Sequence, residues 1–320
     1  MSSRLTVAIL FTAAACSSAN PAPSAAAVAA SGAREIDLAG TPTPSVVFAF
    51  DSIWVGASDK GDLIRLDKTD GHVLRRVPVG DRSKLSARAR NYHGVPIAIA
   101  AGFGSIWTAG ADEMLYRVDP TTGNTSAAPI GVIGTAIAVS DDAVWIAAYD
   151  DGELVRFDPA ANKITGAANG LGSLEGLTFA FGSVWATSRS GHELLRFDTK
   201  TGLVTARIPI DRNPAWVTSG AGAVWVTKDT PRSLVRVDPV TNAITATYPA
   251  DNWGAGVGVA YADNMLWLGN VARVDPASGK TTGRETTASA EEQLAIAVGG
   301  GSLWIVGTTK VRQVPVSKLR

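Results

Sequence analysis

The sequence predicts an all-β fold, a seven-bladed β-propeller built of four-stranded antiparallel blades, and three observations carry that prediction. A tryptophan recurs at Trp54, Trp107, Trp145, Trp185, Trp225, Trp267 and Trp304, at spacings of 53, 38, 40, 40, 42 and 37 residues. Each lies in a short apolar run such as DSIWVG, GSIWTA or GSVWAT, and after each of the first six comes a second run such as LYRVDPTTG or LVRVDPVTN. Several repeats add a third run, such as VLRRVPV or VTARIPI, and a fourth, such as PIAIA or LAIAV, precedes the tryptophan. A period near forty residues with four short β-type runs per unit, separated by Gly, Asp and Pro turns, is the pattern of propeller blades.

Taken in chain order, residues 1–15 come first, with Arg4 ahead of an apolar run from Leu5 to Ala15 and small residues leading into Cys16. This is the layout of an export signal. The run is well short of the roughly twenty apolar residues that span a bilayer. The residues TAAAC at 12–16 resemble the lipobox of bacterial lipoproteins, which implies that Cys16 is lipidated and becomes the mature N-terminus. An ordinary signal peptide cut after an A-x-A site is the other reading of the same residues. Cys16 is the only cysteine, so no disulfide forms within the chain. Residues 16–32, CSSANPAPSAAAVAASG, have too few large apolar side chains to pack and suit a flexible tether. The expected location is therefore the bacterial cell envelope, on its periplasmic or cell-surface face, with the membrane itself a partner through the lipid.

Residues 33–320 make the propeller. Hydrophobic residues are 46% of the chain and charged residues 18%, enough apolar material for a large core. With 29 basic and 29 acidic side chains there is no electrostatic footprint for nucleic acid. A monomer is expected. The seventh unit stops at KVRQVPVSKLR without a fourth strand, while Arg34 to Leu38 aligns with an outermost strand. The N-terminal strand is therefore expected to pair with Val311 to Val316 and close the ring, removing two sheet edges.

Within each repeat the conspicuous residues are structural. Asp-Pro-x-Thr-Gly at Asp119, and its variants at Asp158, Asp198, Asp238 and Asp275, is a turn in which the carboxylate accepts backbone N–H groups. The arginine two residues earlier, as in Arg117 and Arg236, alternates with apolar neighbours and is expected on a blade surface. The seven tryptophans are expected to fill the wedges between blades.

These GSVWVT-type strands followed by L-x-R-V-D-P-x-T-G resemble the YVTN-type β-propeller repeat family, and more distantly the virginiamycin B lyase family, over residues 33 to 320. The lyase resemblance implies a glutamate after the tryptophan strand which, with histidines, serves a metal-assisted elimination. Here the third position after each tryptophan holds Ala57, Gly110, Ala148, Ser188, Lys228, Asn270 and Gly307, none of them glutamate. The histidines are His72, in a turn on the opposite face, and His93 and His192 in loops.

Loops entering each innermost strand share one face with the loops after each tryptophan strand, and that channel mouth is the expected site. Nine residues before the tryptophan stand Ser45, Ala98, Ala136, Gly176, Trp216, Gly258 and Ala295, six small residues and one indole. One residue earlier, Glu175 is the single charge among Pro44, Ile97, Thr135, Ala215, Val257 and Leu294. Nearby loops add Arg212, Asn213, Asn252, Trp253, Glu291, Glu292 and Gln293. Trp216, Trp253, Glu175 and Arg212 are expected to line one pocket for a polar ligand with an apolar face, of which a sugar is one example. The long first spacing marks an insertion, DRSKLSARARNYHG, carrying Arg82, Lys84, Arg88, Arg90, Tyr92 and His93 on the same face, either a lid or anion contact or a solvated loop.

No Cys or His cluster has zinc spacing, and no phosphate loop or G-x-S-x-G elbow is present. No metal and no cofactor are expected. The sequence favours a ligand-binding or protein-assembly module; the alternative is a virginiamycin B lyase-like or lactonase-like enzyme with its site at the channel mouth.

Overall fold

The computed structural model describes residues 33–80, 85, 95–249, 258–268, 272–284 and 293–318. Cys16 and the tether, the insertion residues Arg82, Lys84, Arg88, Arg90, Tyr92 and His93, and Asn252, Trp253, Glu291 and Glu292 lie outside the described residues.

Seven four-stranded antiparallel sheets follow one another along the chain. Blade 4 is representative, with strands Leu174–Ala180, Ser183–Ser188, Glu193–Asp198 and Val204–Pro209 ordered from the channel outward. Alternate turns therefore fall on two faces. The mouth face carries the entry to each innermost strand and the turn after each tryptophan strand; the opposite face carries the tight turn before the tryptophan strand and the Asp turn.

Closure occurs as the missing strand implied. Arg34–Ile36 pairs antiparallel with Val311–Pro315, in the register Arg34 to Gln313, Glu35 to Arg312 and Ile36 to Val311. The ladder is shorter than Arg34 to Leu38, because the Asp37 carboxylate accepts the Ala39 N–H at 2.7 Å and turns the chain. Leu38 is still fully buried, packed with Ile36, Ile53 and Trp304 in a cluster that joins blade 7 to blade 1.

All seven repeat tryptophans are at most 1% exposed. Each packs against the following blade, as Trp145 does against Val184 and Ala186, and Trp185 against Val224 and Val226. Each also donates its indole N–H to an oxygen five residues earlier, for example Ala180 at 3.0 Å and Gly220 at 2.9 Å. A large apolar ring thus fills each wedge without an orphaned donor.

The repeat arginines are not on a free blade surface, contrary to the expectation from their alternation. The Arg196 guanidinium lies 4.9 Å over the Trp185 ring and donates to the Pro239 carbonyl of blade 5 at 2.8 Å. Arg65 reaches Pro120 at 2.9 Å and Arg156 reaches Thr199 at 3.0 Å in the same way. In a propeller both faces of each sheet meet a neighbour, so a side chain leaving the sheet enters an interface. At blade 7 the equivalent residue is Gln313, whose amide donates to the Lys68 and Thr69 carbonyls at 3.1 and 3.0 Å. An arginine there would lie opposite Arg34 in the ladder, a like-charge pair that the amide avoids.

The turn aspartates behave as expected. Asp119 accepts the Thr121 and Thr122 N–H groups at 2.8 Å each, and Asp158 accepts Ala160 and Ala161 at 2.8 and 2.9 Å. Such hydrogen bonds hold these carboxyls below the usual range; at Asp275 the Ser278 hydroxyl contributes most. Depressed folded-state values stabilise the native state above the unfolded value, near 3.8, and that contribution disappears as pH falls through the folded values. Thermal melts should therefore be insensitive to these groups at neutral pH and move to lower temperature below about pH 4. Asp119→Asn should reduce that acid-side slope.

Candidate functional site

The innermost strands of blades 4 and 5 are irregular where they leave the mouth, as those of blades 1 and 7 also are. In the innermost strand of blade 4, pairing with the tryptophan strand runs Leu174 to Ser188 and then Leu177 to Ala186, leaving Glu175 and Gly176 in a bulge. In blade 5 it runs Pro214 to Lys228 and then Val217 to Val226, leaving Ala215 and Trp216 in another. A bulge re-aims the side chains it carries. Two threonines hold the displaced backbone: Thr187 Oγ1 accepts the Gly176 N–H at 2.8 Å and donates to the Ala215 carbonyl, and Thr227 Oγ1 accepts the Trp216 N–H at 3.1 Å. The two bulges touch. A Cβ on Gly176 would fall 2.8 Å from the Ala215 oxygen and 2.9 Å from the Val217 nitrogen, so the small residue in this column is a condition of close approach.

Glu175 meets Arg189, the first residue beyond the tryptophan strand of blade 4, with Oε2 2.7 Å from Nη1. The other terminal nitrogen of Arg189 lies 2.6 Å from Asp229 at the end of the tryptophan strand of blade 5. One guanidinium thus bridges carboxylates from two blades. The three side chains are between 20% and 33% exposed, half-sunk at the rim and still open to a ligand. Burial pushes the Glu175 carboxyl above its usual range and Asp229 adds to this, while Arg189 opposes both. Across the neighbouring blade, burial first and the Glu175 charge second raise the Tyr149 hydroxyl. The cluster carries two carboxylates for one guanidinium, with the buried Lys228 ammonium 3.5 Å from Asp211 beside it.

Trp216 is half-buried, and its Nε1 is shielded without a hydrogen-bond partner. It therefore neither seals a wedge as the repeat tryptophans do nor stands clear of the surface. Arg212 is exposed and Asn213 half-exposed, in consecutive left-handed conformations at φ 51° and 44°. The Asn213 backbone is already engaged, its N–H donating to His192 Nδ1 at 3.3 Å and its carbonyl accepting from Asp229 at 3.3 Å. The structure thus puts Glu175 and Trp216 in touching bulges, with Arg212 and Asn213 in the connection between their blades. From the insertion, Leu85 is described: it is buried against Val95, Ile97, Ala111 and Ile133.

Arg189 and Asp229 escaped the sequence reading, although a signal existed. Four residues after the tryptophan the repeats hold Ser58, Ala111, Tyr149, Arg189, Asp229, Val271 and Thr308, with aromatic, cationic and anionic side chains in three successive blades.

Among the described residues, Asp67, Asp70 and His72 bring ligand atoms within 4.8 Å of one another. They belong to an exposed turn on the opposite face, in which Asp67 accepts the Thr69 N–H at 2.7 Å and His72 Nδ1 lies 2.6 Å from Asp70.

The molecule is a seven-bladed β-propeller with an ionic cluster on one arc of its mouth. No protein-family model matches this chain, and no curated protein does. Among solved structures it is similar to a streptogramin B lyase, at 16% identity and TM-score 0.74 over 88% of this chain and 96% of that one. It is also similar to the computationally designed Ika8 protein, at 14% identity and TM-score 0.62 over 87% of this chain and 98% of that one. The WD40 propeller domain of Doa1 follows at 12% identity and TM-score 0.66, over 87% and 95% of the two chains. At such identities the likeness establishes the fold.

Proposed function

We propose that this chain is a lipid-anchored propeller outside the cytoplasm whose mouth, at blades 4 and 5, binds a small polar ligand with an apolar face. The observation that carries the reading is the Glu175–Arg189–Asp229 bridge beside Trp216, whose indole N–H is shielded and unpartnered. Carboxylate oxygens accept hydrogen bonds from hydroxyls, the guanidinium donates them, and an aromatic face takes an apolar one. Binding is favoured over lyase chemistry by the residues themselves. The glutamate that the lyase resemblance implies is replaced at every repeat, and blades 4 and 5 offer Ser188 and Lys228 there.

The export-type N-terminus and the TAAAC motif ending at Cys16 support placing the module at the cell envelope. The test is affinity capture from detergent-solubilised envelope, with wild type compared against Arg189→Met and the eluate analysed for both small molecules and proteins. A small polar compound retained by wild type and lost in the variant supports the proposal. An envelope protein captured through the same residues would replace the small ligand by an assembly role, and identical eluates would refute the site.

A further inference from the structure

The face opposite the mouth has a character that the ligand site does not use. The nine large hydrophobic residues that are exposed among the described residues all lie at or beside its turns. Phe50, Phe103 and Phe181 are 41%, 38% and 46% exposed, and Leu203 and Val240 are 67% and 86% exposed. The three phenylalanines occupy one column, four residues before the repeat tryptophan, and each has a left-handed backbone, at φ 49°, 50° and 51°. Blade 7 has Gly300 at this place, at φ 60°. Bulky side chains are strained in that conformation, and here they are strained and half in water at once. Folding alone gives no reason for such a choice in three blades.

The same face receives the N-terminal chain. Ala33 and Arg34 line one groove with Thr69 of the blade 1 Asp turn and with Gly300 and Gly301 of the blade 7 inner turn. Sixteen residues, 17–32, separate this point from Cys16. Even fully extended they reach at most about 60 Å, at roughly 3.6 Å per residue. The tether therefore joins the propeller on this face rather than at the mouth. The repeat arginines of this side lie over the tryptophan rings, whereas Asp51, Asp142 and the turn carboxylates stay exposed, so the lipid surface that suits this face is an uncharged or zwitterionic one.

We propose that the opposite face docks on the lipid surface, with Phe50, Phe103 and Phe181 entering the interfacial layer and the mouth turned away from the membrane. Aromatic side chains at the headgroup level gain by leaving water while keeping their edges near polar groups. This rests on the anchoring reading and is independent of what the mouth binds. The orientation would present the Glu175–Arg189–Asp229 arc to the aqueous compartment.

The test uses the full mature chain in phosphatidylcholine vesicles. Lipidation blocks the sulfur of Cys16, so Phe103→Cys, Phe181→Cys and Lys60→Cys each introduce one free thiol for a nitroxide. Lys60 lies on the mouth face with a side chain 54% exposed. Power-saturation measurements should find labels at 103 and 181 several-fold more accessible to dissolved oxygen than to a water-soluble nickel chelate, with the reverse at 60. Labels at 103 and 181 as accessible to the chelate as the one at 60, on a chain that still floats with the vesicles, would overturn the docking while leaving the anchor intact. A Cys16 thiol that itself takes the label, on a chain that stays with the aqueous fraction, would overturn the anchor and the docking with it.

Discussion

Deleting residues 33–40 is expected to lower the unfolding free energy by about 5 kcal/mol, the sum of two buried aliphatic side chains at about 1.5–3 kcal/mol each and the lost ladder. The side chains are Ile36, 9% exposed, and Leu38, fully buried. Both lie in the cluster that joins Trp304 to Ile53, so their removal opens the junction between blades 7 and 1. It also uncovers the third strand of blade 7 along Val311 to Gln313 and creates an unpaired edge. Urea titration of the deleted and intact chains measures the loss, and unchanged midpoint and slope would contradict the closure. A soluble but associating product is the expected secondary consequence, because an exposed edge strand pairs with other chains.

The second large effect is expected at Arg189. In Arg189→Met the length and the apolar stem are kept, while the carboxylates of Glu175 and Asp229 lose their shared cation. Removing one partner of a buried pair costs about 3–5 kcal/mol, but these groups are a fifth to a third exposed, and solvent screening reduces the expected loss to about 1–2 kcal/mol. Ligand binding should fall by more, about tenfold or beyond, since donor and geometry are lost together. The pH dependence supplies a separate check. With the arginine gone, burial and the neighbouring carboxylate are left unopposed, so the Glu175 carboxyl should rise further. Glu175 then protonates at higher pH than in wild type, and Glu175→Gln on the Arg189→Met background should recover part of the stability. No recovery would mean that the two carboxylates do not repel.

The ring was legible in the sequence because its period is written in turn and wedge residues that cannot be exchanged freely. The tryptophans must fill seven similar gaps, and the Asp turns must cap their own backbone. Closure was legible for the complementary reason that the last repeat lacked a strand and Arg34 to Leu38 supplied one. Arg196 and its equivalents were misplaced because alternation along a strand separates two faces of a sheet, whereas a propeller buries both. At the mouth, Glu175 and Trp216 stood out against their columns, yet the bulges that bring them together, which blades 1 and 7 share, are not written in any one residue type. Their partners were missed by one position. The third residue after the tryptophan lies within the ladder, as Ser188 does at 0% exposure, whereas in blades 3, 4 and 5 the fourth, at or just past the ladder's end, is partly exposed. Comparing the fourth column instead would have placed Tyr149, Arg189 and Asp229 side by side.

The indole N–H resonances of the protein labelled with ¹⁵N at tryptophan test the mouth site most directly. Nine tryptophans give nine signals, and seven of these N–H groups donate within their own blades while that of Trp216 has no partner. Trp216→Phe assigns its signal by disappearance. On titration with the small-molecule fraction of the envelope, the Trp216 resonance should shift and the seven repeat resonances should stay in place. A ligand that binds while the Trp216 signal remains still, or that moves the repeat signals instead, would contradict a site at blades 4 and 5.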